Sequence, residues 1–288
     1  MTAPGLPLST PAPAAEPGEI LPITRVALFV LLGLGVANGV FLYLTPARAA
    51  TGYAWSIKPA INAAFLGAGY LSGAFSAAVT LLAVRRWRAV RTMVWPLIAF
   101  GTLMLIATVV HRDRFRWGYP LTWVWTAVYV AVPLGTAGLW LLQRRAEPAD
   151  TEPGGRPPFA AEAAVTGAVL ALVGVAIPLT PTAAIAHWPW AITPLLARAF
   201  GGWYILAGGI LLVTALTARS AAETAVPSLT VACWSLLIIV LPLVHGEGVR
   251  TATMSFRAWV ALHALALLVS AAVAARSLRR LRRATTTS

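Results

Sequence analysis

Apolar residues fall in eight long stretches, each about the length that a bilayer core demands of a helix. They run Ile23–Leu44, Pro59–Val84, Thr92–Val110, Pro120–Leu142, Pro158–Leu179, Pro194–Ala218, Ala225–Val244 and Phe256–Ala275. Prolines punctuate them. Pro59 and Pro194 suit a first helical turn, where a missing N–H costs nothing. Thr45-Pro46 and Thr180-Pro181 stop the stretches before them. The pattern predicts an all-α integral membrane protein with eight transmembrane helices.

Composition agrees: 59% of the 288 residues are hydrophobic and 11% are charged. Soluble domains carry about 25% charged residues, so an ordinary soluble enzyme is excluded. The net charge of +13 would suggest nucleic acid in a soluble chain. Here the basic residues cluster between apolar runs, where they orient helices, and no nucleic-acid partner is required. With the N-terminus inside, 14 of the 22 Lys and Arg lie on the cytoplasmic side, including Arg85, Arg86, Arg88, Arg91 and the run Arg276–Arg283. Both termini are therefore expected in the cytoplasm of a bacterial plasma-membrane protein. The single Cys233 rules out an intrachain disulfide.

The chain also predicts an internal repeat. Offset by 135 positions, Leu44-Thr45-Pro46 falls on Leu179-Thr180-Pro181, Trp55 on Trp190, Pro59 on Pro194 and Ala64-Phe65 on Ala199-Phe200. Gly39, Gly67 and Gly73 fall on Gly174, Gly202 and Gly208. After a one-residue shift His111-Arg-Asp113 matches His245-Gly-Glu247, and after a longer insertion Phe115-Arg116 matches Phe256-Arg257. Four helices per half make the repeats parallel, related by an axis along the membrane normal. The organisation expected is a disordered tail (1–22), a first four-helix repeat (23–142), a linker (143–157), a second repeat (158–275) and a basic tail (276–288). The matched glycines, with Gly35/Gly39 and Gly69/Gly73, are expected to bring helices together at the interface between the repeats.

Candidate chemistry gathers on the outer side. His111, Asp113, His187, His245 and Glu247 have the residue types of a metal site, and a divalent metal is the cofactor they could hold. Arg198 lies one turn inside a span, and Trp55, Lys58, Arg116, Trp190 and Arg257 surround the outer loops. An arginine there suits an anion such as a phosphate or carboxylate. His263 lies within the last span with no obvious partner. ATP-binding loops, zinc-protease motifs, nucleophile elbows and dinucleotide fingerprints are all lacking.

The Trp-Pro-Trp-Ala-Ile-Thr-Pro-Leu-Leu-Ala-Arg stretch, residues 188–198, resembles one found in uncharacterised multi-pass membrane proteins of high-GC bacteria. The resemblance covers about a tenth of the chain and implies no activity. Three functions are thus set against each other. The leading one is an outward-facing cavity lined by Trp, Arg and His that binds a lipid headgroup, a small anion or a membrane protein partner. The others are a metal-dependent enzyme or metal handler, and a facilitative transporter with its path between the repeats.

Overall fold

The structure, a computed structural model, describes residues 18–147 and 159–286. Eight of its helices are long and apolar enough to cross a membrane: α1 (Pro22–Leu44), α3 (Ala60–Ala83), α4 (Val94–Val110), α5 (Pro120–Ala146), α6 (Ala160–Leu179), α8 (Pro194–Thr217), α9 (Ala221–His245) and α10 (Met254–Thr286). Two short helices, α2 (Ala49–Gly52) and α7 (Pro181–His187), lie in the loops after α1 and α6. The all-α, eight-span class is thus observed.

Helix ends follow their sequence signals. Thr45 and Thr180 end α1 and α6 alike: each hydroxyl donates to the carbonyl four residues back, Phe41 and Ala176, at 2.8 Å. The proline that follows each cannot continue the helix. At the start of α9, Glu223 accepts from the Ser220 hydroxyl and the Arg219 amide, a carboxylate clasp on an N-terminus.

The first and second spans of each half pack most closely, α1 along α3 and α6 along α8. Without a hydrophobic drive between helices in lipid, close approach depends on small residues. A Cβ on Gly39 would meet Leu71, and one on Gly67 would meet the backbone of Leu42 and Tyr43. On the other side, a Cβ on Gly174 would meet Ile205, and one on Gly208 the Ala171 amide. Most of these glycines therefore work inside a half, not at the shared interface as expected. Gly69 and Gly202 do meet the opposite half, at Trp203 and at Met104. Gly73 meets nothing within 4 Å.

The third and fourth spans cross over. Helix α4 packs on α5 and on α8 of the other half, while α9 packs on α10 and on α3. The centre is filled with rings: Phe65 lies 4.0 Å from Phe200 by ring centroid, and Tyr204, Trp188 and Trp234 surround them.

One face carries both described ends of the chain and is termed the terminal face; the other is the distal face. On the terminal face Arg91 reaches Glu147 after α5 at 3.1 Å and the buried Glu223 of α9 at 3.2 Å, tying the halves together. Two expected boundaries shift there. Helix α5 continues through Ala146, and Gln143, placed in the linker, is fully buried. Its side chain accepts from the Leu21 amide and the Thr24 hydroxyl and donates to the Glu19 carbonyl. The expected tail is therefore docked from Gly18 onward: Ile20 is buried, its amide donating to Arg85 and the Trp87 amide donating to Gly18. The remainder of the tail (1–17) and of the linker (148–158) lies outside the described residues.

Candidate functional site

The residues singled out from the sequence sit mostly on the distal face, but they do not form one site. Arg198 on α8 donates through Nη1 to His111 Nε2 at 2.8 Å, just beyond α4. The imidazole is an acceptor there, which fixes its proton on Nδ1. Burial and the Arg198 guanidinium push the His111 pKa below its usual value, with Asp113 opposing them. Asp113 itself pairs with Arg114 at the exposed surface. His245 donates to the Tyr43 carbonyl at 3.0 Å, His187 contacts the Ala183 carbonyl, and Glu247 is exposed. Each imidazole has its own local partner. Among the described residues no three His, Cys, Asp or Glu side chains come together as a metal would require.

Trp55 and Trp190 serve the core. Trp55 is packed against Tyr53, Phe115 and Trp125, and Trp190 is fully buried against Trp259 while donating to Asn62 Oδ1 at 2.7 Å. Large rings bury more area than any aliphatic side chain, so interior packing outcompetes a place at the rim. Arg116 turns back on the chain and donates to the carbonyls of Ala50 and Thr51. Lys58 and Arg257 are exposed.

Geometry also corrects the pairing of the loops. The Arg116 amide donates to Ala54 at 2.9 Å, and the Arg250 amide donates to Pro189 at 2.8 Å. Arg250, whose side chain returns to the Trp188 carbonyl, thus takes the place of Arg116. Arg257 does not, and no longer insertion is needed. The 134-residue offset of His111 and His245 holds through the following span. Trp125 and Tyr129 correspond to Trp259 and His263. Tyr70 and Tyr129 share a hydrogen bond of 2.7 Å between α3 and α5, and Tyr204 and His263 share one of 3.1 Å between α8 and α10. His263 therefore has a partner that the sequence reading missed. Its Nδ1 donates to the Trp259 carbonyl, so Nε2 accepts from the Tyr204 hydroxyl.

A cavity of about 230 Å³ lies elsewhere, toward the terminal face among the first four spans. It opens between the α1/α3 pair and the α4/α5 pair, with α8 and α9 behind it. Leu28, Leu31, Gly73, Thr80, Leu97 and Leu139 are among its lining residues. Its deep end is aromatic, closed by Phe100, Trp203, Trp234 and the Tyr70–Tyr129 pair. The docked segment Gly18–Leu21 and Trp87 sit at its mouth on the terminal face. The wall is almost entirely hydrocarbon, with a few hydroxyls, and carries no charged side chain. Such a space suits an alkyl or isoprenoid chain and offers nothing to a hydrated ion.

No protein-family model, curated protein or solved structure matches the chain.

Proposed function

We propose that the protein is a non-enzymatic, duplicated membrane protein that holds the hydrocarbon chain of a lipid in the cavity of its first half. It would reside in a bacterial plasma membrane with the terminal face in the cytoplasm. The observation that carries this reading is the cavity itself: apolar, and bounded by α1 and α5, which bond through Thr24 and Gln143 at the terminal end and make little other contact. A chain can enter sideways from the bilayer through that gap. The ring-filled contact between α3 and α8 counts against a path between the halves. The separate partners of the distal histidines count against a shared metal centre.

The duplication is supported by a matched contact: the Arg116 amide donates to Ala54 as the Arg250 amide does to Pro189.

Native mass spectrometry of the protein released from mild detergent tests the reading. The wild type should retain lipid. Gly73→Trp places an indole in open space, so it should fold and lose that lipid. Unchanged lipid retention by a folded Gly73→Trp protein would sink the proposal.

A further inference from the structure

We infer that the occupant is an anionic phospholipid drawn from the leaflet at the terminal face, its phosphate held by a rim of arginines at the cavity mouth. This rests on the reading of the cavity as a chain-binding site and adds the leaflet and the headgroup.

The leaflet follows from depth. On α1 the lining runs from Thr24 to Gly35. At 1.5 Å per residue this is about 16 Å, close to half of the roughly 30 Å hydrocarbon core. The cavity therefore accommodates one leaflet's worth of chain. It is closed by rings at its deep end and reaches Thr24 and Trp87 toward the terminal face.

The headgroup follows from charge. Arg25 stands beside the lining residue Thr24 and donates to the Val84 carbonyl with one of its nitrogens. Its other N–H groups remain for a ligand. Arg85 and Arg86 are exposed beside the lining residue Trp87. Arg144, at the end of α5 on the terminal face, lies over the Trp140 ring at 4.7 Å. Of the nearby acids, Glu147 is held by Arg91, which leaves Glu19 against four arginines. Guanidinium groups suit a phosphate oxygen in both charge and shape.

Orientation of helices alone does not account for this rim. At the same offsets the second half carries Ala160 in place of Arg25 and Leu278 in place of Arg144. Those two arginines belong to the half that has the cavity.

The test uses full-length protein stripped of lipid. It is incubated with equal amounts of phosphatidylglycerol and phosphatidylcholine bearing identical chains, and bound lipid is counted by native mass spectrometry. Phosphatidylglycerol should be favoured at least about fivefold, since a single arginine near a surface contributes about 1 kcal/mol toward an anionic lipid. Arg25→Gln with Arg144→Gln should abolish the preference, and Arg279→Gln with Arg280→Gln, which removes equal charge elsewhere on the chain, should leave it. The exposed Arg144→Gln alone should reduce it about threefold, which keeps the test decisive if the double variant does not fold. Equal binding of the two lipids by the wild type would overturn the headgroup inference and leave chain binding standing. A preference that survives Arg144→Gln undiminished, or falls equally in the Arg279/Arg280 variant, would overturn it as well. Binding of neither lipid would overturn both readings.

Discussion

The two halves arrange the same elements in the same order, yet one is closed and the other is open. In the second half α6 and α10 meet, and Ala163, Ala215 and Val273 form a small buried cluster between them and α8. Arg276 caps it over the Phe159 ring at 3.7 Å, and Ser277 bonds to Thr224 at 2.7 Å. At the same offsets the first half has Leu28, Thr80 and Leu139, all three lining the cavity. Bulkier side chains stand at these positions, and interiors packed like crystals do not readily absorb extra methylenes. Ser277 corresponds to Gln143, whose longer side chain reaches past its neighbours to the docked N-terminal segment. A few substitutions at equivalent sites thus separate a filled unit from one with room for a guest.

The contrast breaks most sharply at Gly73 and Gly208, which share an offset. Gly208→Leu should fail to give folded protein, or lose about 3 kcal/mol or more, because its Cβ would run into backbone. Gly73→Leu should melt no lower than wild type, having open space and a better helix former. Thermal unfolding in detergent distinguishes them.

Next in size is a transplant of the closed half's residues. Leu28→Ala, Thr80→Ala and Leu139→Val together should let α1 and α5 approach and reduce retained lipid severalfold. Disulfide formation between cysteines placed at Ala27 and Thr136, with Cys233 removed, should become faster. An unchanged rate would mean that side-chain size is not what parts the helices.

A smaller effect sharpens the comparison at the buried hydroxyls. Tyr204→Phe strands a fully buried His263 nitrogen, whereas Tyr70→Phe strands a Tyr129 hydroxyl that borders the cavity. Both should cost about 1 kcal/mol, the first more than the second. Equal losses in unfolding would contradict the difference in surroundings.

The smallest effect concerns the distal face, where His111 of the first half accepts from Arg198 of the second. His111 has a pKa below its ordinary 6.5 in the folded protein, through burial and then Arg198, so folding favours its neutral form. Its contribution is present above pH 6.5 and declines as pH falls from there toward the depressed value, because the unfolded chain binds the proton more readily. The melting temperature should drop slightly between pH 7.5 and 5.5. His111→Asn should remove that part of the slope.

Much of this fold was legible in the sequence, because span length and proline breaks are local signals. Seven of the eight spans are found within a few residues of their expected ends, while α10 runs on through the expected basic tail to Thr286. Errors arose where a residue acts over distance. Gln143 stands among linker-like neighbours, and only its reach to Leu21 and Thr24 shows it to be buried. Phe256-Arg257 looks like Phe115-Arg116 as letters, but the loop is held by a backbone amide, at Arg250, which carries no side-chain signature. The distal arginines and histidines drew notice because charge near a span is rare, and most of them serve local contacts. The cavity has no motif at all, since it arises from a mismatch in side-chain size. Comparing Leu28, Thr80 and Leu139 with Ala163, Ala215 and Val273 would have found it, given the correct offset.

The crossing of α4 onto α8 and of α9 onto α3 has a consequence for how the protein is made. The α1–α3 hairpin can form as soon as it is inserted, as can α6–α8. Helix α4, however, leaves the ribosome about a hundred residues before the helix it must rest on. At typical elongation rates of about 5–20 residues per second, it waits several seconds in lipid, with Phe100 and Met104 facing acyl chains instead of α8. Neither half can be completed as a module and then joined to the other. The packing of α4 on α8 and of α3 on α9 can close only after the second half is inserted.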